Sequence, residues 1–458
     1  LKWQGSATAK EEAVAKGILV LGAGRSSRFL LKQLSDFCGK TGRTLTVCDA
    51  SRDELDKHTF DLSLERKILN ASDSAALEYL IAGNEMVVSL LPAFMHPAVA
   101  ALCLKYKAHF ASASYVGDAM RALDSEARSV GLVFLNELGL DPGIDHLSAM
   151  KAMDEIRHGG GEIISFESYC GGLVSEAYCE GNPWKYKFSW NPRNVVLAGQ
   201  GGNSLFRQNN QLRSIPWHRL FAEAKTLSIP GLGEFDAYAN RDSLSYEQVY
   251  GLSEVSTLLR GTLRRKHYCK NWQVLVSLGF TDAQSPLPDN ISSVNDLCCA
   301  LTGKRKDQPL SDWLLENNYI DNTQKVWFDY LHLENTQTIG TDLKNAAEIL
   351  EAVLLDKWKL LPGDCDEVVM YHRIGFVKNG QKQVFHSVMS VSGEDEIHTA
   401  MAKTVGLPLA LGVEQVLSGS CQEKGVVIPV SKYWYEGILP RLEQMGVCFT
   451  EHTEFCDE

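Results

Sequence analysis

The sequence predicts an α/β fold whose first part is a doubly wound parallel sheet of the Rossmann type. Three observations carry that expectation. Ile18-Leu-Val-Leu21 is a short apolar run that leads into Gly22-x-Gly24, and a helical pattern opens directly behind it. A buried parallel strand delivers a chain to a dinucleotide in this way. Gly22 permits the tight turn, Gly24 lets the backbone approach a pyrophosphate, and the next helix offers free N–H groups and the positive end of its dipole. Arg25, Ser26 and Ser27 complete the loop, with Ser27 at the third small position, where a glycine is usual. The second observation is Asp49, which ends the run Thr44-Leu-Thr-Val-Cys-Asp49 at the distance expected of an acid that binds an adenosine ribose. The third is a repeated alternation of apolar strand and helix with short links.

Taken in order, Phe29, Leu30, Leu31 and Leu34 give the first helix its apolar face, which ends near Gly39. Asp49 could instead cap the helix that follows it, with Ser51 competing for that role. As a ribose ligand Asp49 would repel a 2′-phosphate, so NAD is favoured over NADP; Arg52 is the residue able to swing in and hold such a phosphate. Met86-Val-Val-Ser-Leu-Leu91 reads as a strand stopped by Pro92, followed by a helix from Ala100 to Ala108. His109 to Ala113 is the next strand, Ala119 to Val130 a helix, and Leu132 to Leu135 a further strand. Ligands of such sheets bind beyond the C-terminal strand ends. Those ends carry Ser89-Leu-Leu-Pro92, Ser112-Ala-Ser-Tyr115 and Glu137-Leu-Gly-Leu-Asp-Pro-Gly-Ile-Asp-His146.

From about Gly160 the texture changes. Ile163 to Gly172 reads as a half-buried strand ending in a Gly turn. The stretch Tyr178 to Gly202, rich in Gly, Asn, Pro, Trp and Tyr, reads as a functional lid or wall, with surface decoration as the alternative. Ser292 to Leu360 shows helix-period apolar faces and reads as a small all-helical insertion. Glu367 to Ile374 and Gln383 to Val391 form a hairpin around Lys378-Asn-Gly380, and a helix from His398 to Leu417 is kinked at Gly406-Leu-Pro408.

Composition bounds the function. A chain of 458 residues implies two or three domains. A net charge of −12 argues against a general nucleic-acid binder, and any anionic ligand must be met by local Arg or Lys. Twelve cysteines without a C-x-x-C pair or zinc-type His spacing read as reduced thiols in a cytosol-like compartment, and no metal site is expected. No apolar run has the length of a membrane span. Leu1 to Lys16 is polar and helical in composition, unlike a signal peptide.

Candidate chemistry gathers at the strand ends. Asp141-Pro142-Gly143 lies just past a strand, on the ligand side, and dense acids such as Glu137 and Asp141 exceed what a turn needs. Asp145 reads as the N-cap of a helix over 146–158. Ser114-Tyr115 shares that rim, where a phenol can hydrogen-bond a carboxylate or take part in proton transfer. Asn240-Arg-Asp-Ser243 and Arg260-Gly-Thr-Leu-Arg-Arg265 hold the candidate carboxylate clamps, because an Arg fork binds both oxygens at once. A solvated charged loop is the bland alternative.

With these pieces in place, the chain resembles the L-glutamate-forming saccharopine dehydrogenases, or saccharopine reductases, from about Gly17 to about Cys448. The resemblance rests on Val88-Ser-Leu-Leu-Pro92, Ala113-Ser-Tyr115, Glu137 to His146, Tyr169-Cys-Gly-Gly-Leu173, Tyr186-Lys-Phe-Ser-Trp190, Asn240-Arg-Asp-Ser243, Leu258-Leu-Arg-Gly-Thr-Leu-Arg264 and Ala400 to Pro408, all in order. It is closest in character to the dehydrogenase half of the bifunctional lysine-degrading enzymes of animals and plants, a half that is usually NAD-linked. The fungal biosynthetic form is NADP-linked and typically has a basic residue just beyond the second strand.

The resemblance implies a cofactor site on Gly22, Gly24, Arg25, Ser26, Ser27, Asp49, Leu91 and Ala113. It implies saccharopine contacts on Ser114, Tyr115, Asp141, Arg241, Thr262, Leu263 and Arg264, with Asp141 and then Tyr115 as candidate catalytic bases. The implied domains are a dinucleotide domain over 17–139 and 396–440, a mixed α/β substrate and dimer domain over 140–288 and 362–395, and a helical domain over 289–361. The implied activity is oxidative cleavage of saccharopine, with NAD and water, to glutamate and 2-aminoadipate 6-semialdehyde. A homodimer in the cytoplasm is implied, or the mitochondrial matrix if the chain is part of an animal bifunctional enzyme, with a lysine–ketoglutarate reductase fused or separate. Two alternatives remain. A carboxynorspermidine dehydrogenase would need acidic contacts where Arg241 and Arg264 stand, and a non-catalytic NAD-binding protein would have lost its rim residues.

Overall fold

The computed structural model describes residues 17–288, 290–336, 338, 340 and 343–456. The reading of Leu1 to Lys16 lies outside the described residues. Sixteen strands are described: β1 (Gly17–Leu21), β2 (Thr44–Asp49), β3 (Glu65–Ile68), β4 (Met86–Ser89), β5 (His109–Ala111), β6 (Val133–Leu135), β7 (Glu162–Val174), β8 (Ser204–Gln208), β9 (Gln211–Ile215), β10 (Lys225–Ile229), β11 (Gly233–Ala239), β12 (Thr257–Arg265), β13 (Asp366–Lys378), β14 (Gln381–Ser392), β15 (Gly425–Val427) and β16 (Phe449–Phe455). They fall into two compact units.

The first unit comprises the described residues up to Pro142 together with Gly406–Pro429. Its sheet runs β15-β6-β5-β4-β1-β2-β3, parallel throughout. Strands β1 and β4 are buried along their whole length, as a sheet covered on both faces requires. The direction of strand succession reverses beside β1, so the loop after β1 opens at the switch point where such sheets bind ligands. Several details differ from the sequence reading. The strand that begins at Met86 ends at Ser89, the helix expected over Ala100 to Ala108 is His96–Tyr106, the helix expected over Ala119 to Val130 is split into Asp118–Arg121 and Asp124–Ser129, and β3 and β15 bring the five expected strands to seven. Only three residues long, β15 has too little pattern to read locally; its parallel pairing with β6 holds it.

The second unit comprises Gly143–Val405 and the described residues from Val430. Its mixed sheet follows β10-β11-β12-β7-β13-β14-β16, with β8 and β9 attached through β12. The central pair β12–β7 is parallel and the other pairings are antiparallel. Asn379 and Gly380, both at positive φ, make the tight turn of the long β13–β14 hairpin that the Asn-Gly pair predicts. Helices Val294–Thr302, Leu310–Glu316, Lys325–Leu331 and Ala346–Lys357 fill the stretch read as helical.

These helices share one core with Trp184, Tyr186 and Phe188. Within Tyr178 to Gly202, the lid reading is corrected for the aromatic run Trp184 to Phe188, which is built into the core. Its aromatic rings are buried, and Trp184 lies against Trp272, Trp327 and Trp358. Aromatic composition marks a lid and a core equally well; burial separates them.

All twelve cysteines are free. Among the described residues no helix is long and apolar enough to cross a membrane.

Candidate active site

The phosphate loop is built by backbone geometry. Gly22 sits at φ +100°, and an added Cβ would come within 3.2 Å of Leu90, so only glycine turns here without strain. A Cβ on Gly24 would meet open space, the side from which a pyrophosphate can approach. The helix Arg28–Thr41 begins at Ser27 with no side-chain cap and no acid in its first turn, so its dipole faces the loop uncompensated. Ser27 is fully buried, as the close packing of the third small position demands. Ser26 and Leu91 are half-buried, and Arg25 is exposed. These features fit a dinucleotide.

Asp49 does something else. Its Oδ2 accepts the Ala23 N–H at 2.8 Å, and its Oδ1 accepts the Ser51 N–H at 2.8 Å. The carboxylate stitches the phosphate loop to the start of the helix Arg52–Thr59, which Ser51 caps through Glu54 N–H. Each oxygen accepts one backbone N–H, which fixes the carboxylate beside the phosphate loop and leaves acceptor capacity on both. Arg52, exposed in the first turn of that helix, stands where a basic residue past the second strand would stand.

The rim of the first unit is a hydrogen-bonded assembly. Glu137 N–H donates to Ser114 O, Val116 N–H donates to Glu137 Oε1, and Gly139 N–H donates to Pro142 O. The loop after β6 is thereby fixed to the loop after β5, which brings Tyr115 and Asp141 together: the phenol donates to Asp141 Oδ1 at 3.0 Å. The Asp141–Pro142 peptide is cis. Ala113, Ser114, Tyr115 and Asp141 are all half-buried. His96 completes the rim. Its Nδ1 lies 3.0 Å from Ser89 Oγ and its Nε2 3.0 Å from Ser114 Oγ, so one buried ring holds two strand-end hydroxyls. Burial pushes its pKa down to about 4, which keeps it neutral. A lone His at a helix start carries no local signal of this.

In the second unit, the arginines of Arg260-Gly-Thr-Leu-Arg-Arg265 part company. On β12, Arg260, Thr262 and Arg264 share one face and Leu263 takes the other, within an apolar cluster. Arg260 is consumed internally: its Nη2 meets Asp145 Oδ2 at 2.5 Å, and its guanidinium lies 4.3 Å from the centre of the Tyr246 ring. Asp145 is therefore not the helix N-cap expected of it. Gly143 caps the helix Ile144–His158, and Asp145 is buried within the first turn. Burial works against this carboxylate, but His146 and Arg260, with the Gly143 N–H, hold it below its ordinary range. Arg265 pairs with Glu367. Arg241 is exposed at φ +50°, with Ser243 beside it accepting the Arg260 N–H.

Arg264 differs from all of these. It is 2% exposed, and its guanidinium sits 5.2, 5.7 and 5.5 Å from the ring centres of Tyr186, Tyr238 and Tyr268. Nη1 donates to Leu263 O, while Nε is buried without a partner. Among the described residues no carboxylate forms an ion pair with it. Asp236, opposite it on β11, spends Oδ2 on the Cys269 N–H. Burial raises the Tyr238 phenol to about 12, with Arg264 only partly offsetting the rise, so the ring supplies no anion at neutral pH. A buried cation in a neutral aromatic cage is electrostatically incomplete.

A parallel nucleotide unit with a loop shaped for pyrophosphate places the chain among the dinucleotide-binding oxidoreductases. Residues 18–135 match the model of the saccharopine dehydrogenase NADP binding domain, and residues 139–447 that of the saccharopine dehydrogenase C-terminal domain. The chain belongs to the saccharopine dehydrogenase family. It is 31% identical over 443 residues to the L-glutamate-forming, NADP(+) saccharopine dehydrogenase of Pyricularia oryzae, covering 94% of this chain and 97% of that one. It is 32% identical over 445 residues to the mitochondrial alpha-aminoadipic semialdehyde synthase of Bos taurus, covering 95% of this chain but 47% of that one, so it spans about half the bovine protein. Apo saccharopine dehydrogenase (L-Glu forming) of Saccharomyces cerevisiae superposes with a TM-score of 0.83 at 29% identity, over 96% of this chain and 100% of that one.

The expectation of NAD is overturned. The matched domain is an NADP binding domain, and the Pyricularia, Saccharomyces cerevisiae and Schizosaccharomyces pombe relatives are all named NADP(+) enzymes.

Proposed function

We propose that this chain oxidises saccharopine with NADP, yielding glutamate and 2-aminoadipate 6-semialdehyde, and that the reaction can run in either direction. The observation that carries this reading is Arg264, a buried cation with no carboxylate partner among the described residues. Burying an unpaired charge is costly, so the anion it lacks belongs to the ligand. Saccharopine is a secondary amine bearing three carboxylates, and Arg264 and Arg241 are its anchors, with Thr262 and the Leu263 backbone beside them. The polyamine alternative offers cations to a cation and is disfavoured.

When bound, the nicotinamide supplies a hydride acceptor for the carbon next to the amine. The chain's own residues manage the proton and the water. Asp141 accepts the proton that leaves the amine, releases it to solvent, and as the regenerated carboxylate accepts a proton from the attacking water, with the Tyr115 phenol fixing its Oδ1. Ser114 hydrogen-bonds a substrate carboxylate. Arg52 meets the cofactor's 2′-phosphate, and Arg25 belongs to the phosphate loop.

The direct test is absorbance at the reduced-nicotinamide band after mixing the chain with saccharopine and either NADP or NAD. A faster rise with NADP is expected; no rise with either sinks the reading. Arg52→Ala should raise the KM for NADP by about tenfold, the cost of one exposed charge-assisted contact, and leave the KM for saccharopine alone. An unchanged KM for NADP removes Arg52 from the cofactor site.

His96 acts as a positioning residue. Its neutral ring gives one donor and one acceptor, so it dictates whether the Ser114 hydroxyl offers its proton or its lone pair to the substrate. His96→Ala should lower kcat/KM for saccharopine by about tenfold, roughly 1.4 kcal/mol, without moving the KM for NADP. His96→Gln, which keeps an amide within reach of one hydroxyl, should recover part of the loss. If both variants lose stability and keep kcat/KM, the ring only supports the fold.

A further inference from the structure

We propose that His386, His452 and Glu454 form a binding site for a divalent transition-metal ion of the zinc type on the sheet of the second unit. His386 on β14 and His452 on β16 are directly opposed across an antiparallel pair, and Glu454 lies two residues further along β16 on the same face. The imidazole rings stack at 4.8 Å between centres, and His386 Nε2 lies 3.0 Å from Glu454 Oε1. The three ligating atoms all fall within 4.8 Å of one another. Tetrahedral bonds of about 2.1 Å place ligand atoms about 3.4 Å apart, a spacing that small rotations of the exposed His452 and Glu454 side chains supply.

A second observation makes this more than a surface cluster. His386 is the buried member, and its Nδ1 is held by the Tyr371 hydroxyl at 2.7 Å. In the metal-free ring Nε2–H donates to Glu454 and Nδ1 accepts the Tyr371 O–H; a cation bound at Nε2 displaces that proton, and the ring then donates Nδ1–H to the Tyr371 oxygen. An outer hydrogen bond of this kind fixes the tautomer and orientation of a metal-binding imidazole. Arg373, opposite His386 on β13, is the nearest cation on that face, and its ion pair with Glu167 at 2.9 Å offsets its charge. Because β16 closes the path of the sheet, its outer side leaves room for water in the remaining coordination positions. Two imidazoles and one carboxylate select zinc, cobalt, nickel or copper over magnesium or calcium. None of the three residues is among those assigned above to saccharopine or NADP, so the test is independent of theirs.

The full chain, prepared without a histidine tag, is titrated with Co²⁺ and followed by visible d–d absorption. One equivalent should bind, Zn²⁺ should abolish the band, and Mg²⁺ should leave it. His452→Ala and Glu454→Gln change exposed positions and should each weaken Co²⁺ binding by at least about tenfold. Tyr371→Phe should weaken it by about tenfold through loss of the outer hydrogen bond, whereas His332→Ala, at an exposed histidine elsewhere, should have no effect. Zn²⁺ should also raise the Tm of the native chain and not that of His452→Ala. No stoichiometric band, or a band of equal strength in both His452→Ala and Glu454→Gln, overturns the proposal.

Discussion

Asp145→Ala is expected to lower the unfolding free energy by about 3–5 kcal/mol, the cost of breaking a buried ion pair from one side. Asp145 and Arg260 are 2% and 4% exposed and touch at 2.5 Å, so neither charge can turn to water when its partner is removed. The pair also joins the first turn of the helix Ile144–His158 to the middle of β12, and its loss should be felt by the whole unit. Urea denaturation measures it. The double variant Asp145→Leu/Arg260→Met should lie much closer to the native midpoint than either single variant, because it removes the stranded charge together with the bond. Additive losses in the cycle would mean that the two groups do not act as a pair. The pH dependence has a definite sign. The Asp145 carboxyl is held below its ordinary range in the folded chain, so its contribution is complete above the unfolded value of about 3.9 and is lost as pH falls below it. The native midpoint should fall through that acid range, and the double variant's should fall less.

What could be read in the sequence was what is local. The β1 run, the Gly22 and Gly24 turn and the Asn379-Gly380 hairpin each depend on a few adjacent residues, and periodicity with turn chemistry finds them. Asp49 shows where that reading stops. A strand-end acid at the right distance reads as a sugar ligand or a helix cap, and the Ala23 N–H that it also holds comes to it only across the fold. The lid reading of the run Trp184 to Phe188 fails for a related reason. Its aromatic rings suit a lid, but partners as far away as Trp272, Trp327 and Trp358 bury Trp184. His96 is a third case: its function lies in Ser89 and Ser114, which approach it only once β4 and β5 are paired. The rim acids were visible because Glu137 and Asp141 are dense in one short stretch. That Tyr115 would bind Asp141 required the hydrogen bonds between the loops.

The arginines of β12 carry this furthest, since one short motif holds two opposite roles. Arg264→Met is expected to lower kcat/KM for saccharopine by about 10²–10³-fold, or roughly 3–4 kcal/mol, the cost of truncating one side of a desolvated charge pair. The loss should lie mainly in KM, with the KM for NADP unchanged. Stability should move the other way from Asp145→Ala. Arg264 has no carboxylate partner among the described residues, and the cage of Tyr186, Tyr238 and Tyr268 is neutral at physiological pH. An apolar side chain of similar length relieves an unpaid desolvation cost there, so the unfolding free energy should hold or rise. Saccharopine itself should stabilise the native chain against urea and fail to stabilise Arg264→Met, because only the native chain gains a counter-ion on binding. If Arg264→Met instead destabilises the fold and leaves KM intact, the aromatic cage is a structural cation–π core. Arg241 alone would then hold the substrate's carboxylates, and the anion-binding role of Arg264 falls with it.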